Sequence, residues 1–416
     1  MKSSKNSMLF RKLALSFFVI LVTFSLNSCS SENNETSQSQ SESQEVSDNS
    51  NNKEASYNKE STDDKESKDD QQANAEEENE NEDQSSEDKD DMEDESSDDI
   101  EFSGCCGTPI DDSADNKHEI FVSADHVKDV IDGKTDEKDY VIAEVTWGEA
   151  DASPDYLKNH IPGAIHINTD STEEGPVWNL KSDDEIVKSM LAYGIDKDTT
   201  LYLYGPDSGA PRVALAYLVE GLENVKLIDG GIKSWMDKGY ETEEAENKPV
   251  AKTDFKGEYP AQPELIESLD QAIKNIEDED SKVQYITTRT YDEYIGNTSG
   301  YSYINKAGEL PGAIYGHDEA DYKNVDGTYI SYNDMVIMLE KEGVDIDKDM
   351  VFYCGTGWRA ALPILKFYEK GIQTKLFDGG WNEWQMHDEL PVQIGDPKTE
   401  VQNTTVGELS NDKASK

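Results

Sequence analysis

Met350-Val-Phe-Tyr-Cys354-Gly-Thr-Gly-Trp-Arg359 is the stretch on which the fold turns. Its four leading apolar residues make a short buried strand. A cysteine ends the strand and a glycine-rich turn follows. Ala360 to Lys370 continues as a helix closed by Gly371. Thr374 to Phe377 is the next strand. Upstream, Lys282 to Thr288 reads as another short buried strand and Tyr291 to Ile295 opens a helix. Ile330 to Lys341 is helical, with Ser331 as its cap. Strands alternating with helices predict an α/β fold whose parallel sheet is covered by helices on both faces.

The same unit is written earlier in the chain. Leu201-Tyr-Leu-Tyr-Gly205 parallels Met350-Val-Phe-Tyr-Cys354. Ile161-Pro-Gly-Ala-Ile165 recurs as Leu310-Pro-Gly-Ala-Ile314. Leu227-Ile-Asp-Gly-Gly-Ile-Lys-Ser-Trp235 recurs as Leu376-Phe-Asp-Gly-Gly-Trp-Asn-Glu-Trp384. All three pairs are offset by 149 residues. Three ordered matches at one domain-sized offset indicate a tandem duplication and not a solenoid. Pro260, Pro263 and the charged run before them mark the boundary between the copies.

Composition bounds the function. The chain has 416 residues, with 38 Lys+Arg against 90 Asp+Glu and a formal net charge of -52. At roughly 150 residues per domain this allows two or three domains. So acidic a surface repels phosphates, which argues against nucleic acid as a partner. Four cysteines exclude a disulfide-stapled scaffold. Only the N-terminus approaches membrane-span length, so a multi-span membrane protein is excluded.

Lys2, Lys5, Arg11 and Lys12 form a basic n-region, and Leu13 to Leu26 is a 14-residue, mostly apolar stretch. That is a signal-peptide core and short for a spanning helix. Leu26-Asn27-Ser28-Cys29 resembles the bacterial lipobox. The resemblance implies a signal peptide over 1–28, lipidation of Cys29, and anchoring at the extracytoplasmic face of a bacterial cell membrane. Residues 29–104 follow as an acidic linker, with 28 Asp+Glu against five Lys over 31–104. It has almost no large apolar residue, so it is expected to be disordered and extended by its own charge.

Cys354 sits where a strand meets a helix N-terminus. Such a turn aims backbone N–H groups inward, and an anion binds there. A thiolate is an anion, so the loop amides and the helix dipole are expected to lower the Cys354 pKa. Gly355 and Gly357 let the backbone approach the sulfur. Arg359 adds a positive charge for an anionic substrate. The plain alternative is a strand-end cysteine that merely packs.

In their order and spacing these landmarks resemble the rhodanese superfamily of sulfurtransferases. Gly296-Asn-Thr-Ser-Gly-Tyr-Ser-Tyr-Ile304, taken with the Cys354 loop, looks like an exported bacterial subgroup. The resemblance implies two tandem rhodanese-like domains. The first, 105–255, lacks the catalytic cysteine; the second, 256–400, is catalytic; 401–416 is expected to be a disordered tail. It implies a Cys354 persulfide that takes sulfane sulfur from a small anionic donor, thiosulfate-like or itself a persulfide. A thiol or cyanide then accepts the sulfur, with no metal and no organic cofactor. Gly355, Thr356, Gly357, Trp358 and Arg359 become the substrate-binding loop. Arg289 matches an arginine that relatives use near the substrate, although the acid usual two residues before it is replaced by Thr287. Cysteine phosphatases of this fold use Cys-x5-Arg, whereas this loop is Cys-x4-Arg, which favours sulfur transfer over phosphatase or arsenate reductase activity. A non-catalytic surface binding protein is the other competing class. Gly205 replaces the nucleophile in the first copy, leaving Arg212 for a surface salt bridge or for help with an anionic donor. The neighbouring Cys105 and Cys106 are a possible redox or sulfur-acceptor pair. His160 and His166, beside the first Pro-Gly-Ala turn, are expected to be structural. The oligomeric state is not specified by any of these features.

Overall fold

The computed structural model describes residues 113–415. The N-terminal apolar stretch, Cys29, the acidic linker, Cys105 and Cys106 lie outside the described residues. Among the described residues, two five-stranded parallel sheets form the two halves. The first runs Phe121–Val122, Val225–Ile228, Thr200–Tyr204, Tyr140–Thr146, Ile165–Asn168 across the sheet. The second runs Ile266–Glu267, Lys375–Phe377, Met350–Tyr353, Gln284–Thr287, Ile314–Tyr315. Numbered within its own half, each sheet has the order first, fifth, fourth, second, third. The duplication read from three short motifs is therefore a duplication of topology.

The central strands explain why their sequences are unbroken apolar runs. Leu201 to Tyr204 and Met350 to Tyr353 are buried at every position, because helices cover both faces. The helix after each central strand, Gly209–Glu220 in the first half and Trp358–Glu369 in the second, packs against its counterpart. Every residue of Gly209–Glu220 is buried. Val213, Ala214 and Tyr217 from one half and Ala361, Ile364 and Leu365 from the other belong to one hydrophobic core. Each buried aliphatic side chain there contributes roughly 1.5–3 kcal/mol, so the two halves are held together by the same force that folds each. Backbone bonds add register: the N–H groups of Lys117 and His118 donate to the Glu369 carbonyl, and that of Ile120 to Glu369 Oε1 at 3.0 Å.

Local expectations and structure agree closely around the cysteine. The strand is Met350–Tyr353, and Ser331 caps the helix Tyr332–Lys341 by accepting from the Asp334 N–H. The helix after the loop starts at Trp358, two residues earlier than its apolar period suggests, because Gly357 turns left-handed (φ 84°) and ends the loop.

The C-terminal tail needs correction. Residues 401–415 continue the fold. Gln402–Thr405 pairs antiparallel with Pro391–Ile394, and Val406 and Leu409 are buried in the second-half core. The Ser299 N–H then donates to the Lys413 carbonyl, and the Ser415 N–H to the Tyr301 carbonyl, so the tail braces the segment that carries Tyr301. Two well-placed apolar residues and a paired strand outweigh a polar composition. Among the described residues no helix is long and apolar enough to cross a membrane.

Candidate active site

Cys354 leaves the carboxyl end of the central strand, where ligands of open parallel sheets bind. Its carbonyl accepts the Trp381 N–H, and the Gly355 carbonyl accepts the Asn382 N–H, both at 2.9 Å. These donors lie just past Asp378-Gly379-Gly380. A Cβ on Gly380 would stand 2.5 Å from the Cys354 carbonyl oxygen, and its φ is 51°, so the approach requires glycine. This is what the repeated Asp-Gly-Gly motif does in the second half: it turns the loop carbonyls away from the site. Among the described residues, the N–H groups of Gly355, Thr356 and Gly357 meet no acceptor. They stand at the N-terminus of the 12-residue helix Trp358–Glu369. Unpaired amides at a helix start form a cradle for negative charge.

The thiol itself is fully buried. Tyr301 covers the loop so closely that a Cβ on Gly355 would lie 2.4 Å from its hydroxyl. A cavity of about 580 Å³ opens beside the loop and is lined by Thr356, Trp358, Arg359, Tyr301 and Tyr303 from the second half. Trp147, Glu173, Trp178 and Asp207 line it from the first. Thr356, Trp358 and Arg359 follow Cys354 directly in the loop, so the segment that carries the sulfur forms one wall of this cavity.

Arg359 is more constrained than the sequence suggests. It lines the cavity, but Glu293 grips both Nη atoms at 2.9 Å, Asp318 accepts from Nη1 at 3.1 Å, and the Tyr301 hydroxyl accepts from Nη2 at 2.9 Å. Burial pushes the Glu293 carboxyl up, yet the Arg359 contacts outweigh it and hold the group below its usual range. The guanidinium therefore positions Tyr301 and closes an ion cluster. It is not a free charge awaiting an anion.

Arg289 and Arg212 also depart from expectation. Arg289 is fully buried: Nη2 donates to Glu309 at 2.7 Å and to the Gly308 carbonyl at 2.6 Å, and the guanidinium packs 5.2 Å from the Trp381 ring. It is not among the cavity-lining residues. Glu309, immediately before the Leu-Pro-Gly-Ala turn, supplies the acid that Thr287 does not. Arg212 makes no surface salt bridge. It too is fully buried, with Nε donating to Glu173 at 3.1 Å, Nη1 at 2.6 Å from Asp378, and Nη2 donating to the Trp178 carbonyl at 3.2 Å. Glu173 receives the Trp358 Nε1–H at 2.7 Å as well. One first-half carboxylate thus fixes a second-half loop residue. Asn382 completes the seam by donating to the carbonyls of Pro176 and Val177, both at 3.0 Å.

In the first half, the equivalent loop is closed as well as unarmed. A Cβ on Gly205 would stand 2.5 Å from the Val145 carbonyl oxygen, so no side chain fits there. His160 is buried against Tyr156 with Nδ1 at 2.7 Å from the Tyr156 carbonyl, and His166 Nε2 bonds the hydroxyls of Thr146 and Ser153. Both rings are held by the fold.

Reading the sequence missed Tyr301, Tyr303, Glu293, Asp318 and Glu173. The segment Gly296 to Ile304 carried a usable signal, two tyrosines in a glycine- and serine-rich stretch. Glu173 and Asp318 have none, because only the packing of the two halves brings them to the loop.

Comparison with known proteins identifies the family of the two halves. The profile of the rhodanese-like domain matches residues 127–238 and again 268–387. The chain is 38% identical over 267 residues to the thiosulfate sulfurtransferase YnjE of Escherichia coli, covering 62% of this chain and 60% of that one. It thus spans well under two thirds of that relative's length. The sulfur carrier protein TtuD of Thermus thermophilus is 30% identical over 58% of this chain and 87% of its own. The fold superposes on EanB, in a structure with a cysteine persulfide and ergothioneine, at a TM-score of 0.63 and 30% identity, covering 67% of this chain and 71% of that one.

Proposed function

From the premise that this chain belongs to the rhodanese family, we propose that it is a sulfurtransferase working through a persulfide on Cys354. The observation that carries this is the cradle: one cysteine at a helix N-terminus, beside three amide donors with no acceptor among the described residues. In the first step the Cys354 thiolate attacks the sulfane sulfur of a donor. A bond forms between the two sulfurs, the donor's own bond to that sulfur breaks, and the electron pair leaves with the donor fragment. With thiosulfate that fragment is sulfite. In the second step an acceptor thiolate or cyanide attacks the outer sulfur. The Cys354 persulfide bond breaks and its electron pair restores the thiolate. The acceptor is oxidised by the two electrons that the donor gains, so the electrons balance between the substrates and no external oxidant or reductant enters the cycle.

The loop amides hold the negative outer sulfur between the steps, and the burial around Tyr301 limits side reactions with water and oxidants. The names of the relatives support sulfane chemistry, and the persulfide in EanB supports the intermediate. The first half acts as a frame: Glu173 orients Trp358, and Arg212 braces the loop from behind. The basic N-terminus, its apolar stretch and Cys29 support export and thioether lipidation, which would tether the enzyme outside a bacterial cell membrane. Steady-state transfer from thiosulfate to cyanide, followed as thiocyanate, tests the reaction class. The wild type is expected to turn over, and Cys354→Ser to be inactive. An active Cys354→Ser protein, or an inactive wild type that accumulates no persulfide with any sulfane donor, would overturn the proposal.

A further inference from the structure

The cavity beside Cys354 is acidic and aromatic, although the reaction class is usually associated with anions. Three cations stand around it, against six carboxylates. Arg359 is held by Glu293 and Asp318. Arg212 is held by Glu173 and Asp378. Lys323 is paired with Glu319 at 2.6 Å, and Asp207 lines the same cavity as Glu319. Of these six carboxylates, Glu173, Asp207 and Glu319 line the cavity itself. The local formal charge is therefore negative before any substrate enters, and low-dielectric walls concentrate such a field. The remaining wall is unusually aromatic: Trp147, Trp178, Trp358, Tyr301 and Tyr303. Aromatic faces and carboxylates together bind organic cations, through ring quadrupoles and charge pairing.

We propose that the sulfur acceptor of this enzyme is a small organic cation, carrying its nucleophile on the same molecule as an ammonium or similar group that docks in this cavity. The proposal rests on the persulfide reading above and adds the acceptor's charge to it. The acceptor's thiolate attacks the outer sulfur of the Cys354 persulfide; the new sulfur–sulfur bond forms as the old one breaks, and the electron pair returns to Cys354. The cationic group stays against Asp207, Glu319 and the aromatic wall throughout, so it contributes binding and orientation without entering the chemistry. Anionic acceptors meet the same field as repulsion.

The test uses three thiols of similar size: cysteamine, 2-mercaptoethanol and 3-mercaptopropionate. They carry a positive, a neutral and a negative group. The protein is first loaded with sulfur from inorganic polysulfide, and loading on Cys354 is verified by mass. Discharge rates are then compared per thiolate. At low ionic strength cysteamine should discharge the persulfide about tenfold or more faster than 3-mercaptopropionate, with 2-mercaptoethanol between them. Added sodium chloride should compress that ratio, because it screens the field. The double variant Asp207→Asn, Glu319→Gln should compress it at low salt. A circular dichroism spectrum and melting curve like the wild type's keep that result interpretable, and Asp207→Asn alone serves if the double variant does not fold. Equal rates for the three thiols, a faster anion, or a ratio indifferent to both salt and substitution would overturn the inference while leaving the persulfide reading intact. Failure of polysulfide to load Cys354 at all would overturn both.

Discussion

The Arg212 guanidinium of the first half lies 2.7 Å from the point that a Cβ on Gly357 would occupy in the second. The loop that bears Cys354 is therefore shaped from behind by the half that has Gly205 at the equivalent position. Arg212 is fixed there by Glu173 and Asp378, and Gly357 is left-handed (φ 84°) at the start of the helix whose N-terminus faces the site. Duplication supplied a second copy of the fold, and that copy has become part of the wall and backing of the site.

Gly357→Ala should damage catalysis more than its small size suggests. The new methyl group meets Arg212, and the left-handed backbone costs about 1–3 kcal/mol for a residue with a side chain. Sulfur transfer should fall by about tenfold or more, with a lowered melting temperature, because the cradle amides lose their aim. A variant with wild-type kcat/KM would show that the loop tolerates another backbone path.

Arg212→Met should destabilise the whole chain. It leaves Glu173 and Asp378 buried without their cation, a loss on the order of 3–5 kcal/mol for a broken buried pair. Lys233→Ala is the control. Its partner Asp237 is exposed, and exposed pairs are worth about 0–1 kcal/mol. Urea unfolding of the three proteins separates the cases. Equal midpoints for Arg212→Met and wild type would contradict the bracing role.

Tyr301 controls access to the thiol. Cys354 is fully buried, and the Tyr301 ring rests on Gly355. Tyr301→Ala should raise the rate of Cys354 alkylation by iodoacetamide about tenfold or more, on the general rule that reactivity follows exposure. The persulfide, once formed, should also decay faster in this variant. Unchanged alkylation would mean that reagents reach the sulfur by another path.

Stability should fall as pH rises from about 5 to about 8. Burial pushes Glu144 up to about 7, and burial together with Asp183 pushes Glu220 up to about 8, from an ordinary 4.5. In this window the folded protein keeps protons that the unfolded chain has released. Raising pH therefore favours unfolding, and the contribution is present in full only below about 4.5. His166, lowered by burial, works in the opposite sense through the middle of the window. Comparison with Glu220→Gln isolates the carboxyl effect. The variant's melting temperature should decline less over the range, by an amount corresponding to a few kcal/mol at most. Parallel curves would show that Glu220 is ionised in the fold.

The α/β alternation and the duplication were legible because they rest on local signals: buried apolar runs, a cap at Ser331, a glycine at 371. Cys354 was legible for the same reason, standing at a strand end before a glycine loop. The electrostatics were not. Arg359, Arg289 and Arg212 each look available in one dimension. Their partners, Glu293, Glu309 and Glu173, lie 66, 20 and 39 residues away and meet them only after the sheets form. Likewise the tail after 400 looks polar, yet Val406 and Leu409 find the core. Long-range pairing decides both cases, and periodicity carries no trace of it.

The central claim is that Cys354 alone carries the transferred sulfur. Intact-protein and peptide mass spectrometry after incubation with a sulfane donor tests it most directly. The wild type should gain the mass of one sulfur atom, on the peptide containing Cys354, and lose it on addition of excess thiol. Cys354→Ser should gain nothing, because a serine hydroxyl is far from ionised at neutral pH and cannot store sulfane sulfur. Sulfur carried on another residue, or undiminished transfer by Cys354→Ser, would contradict the account.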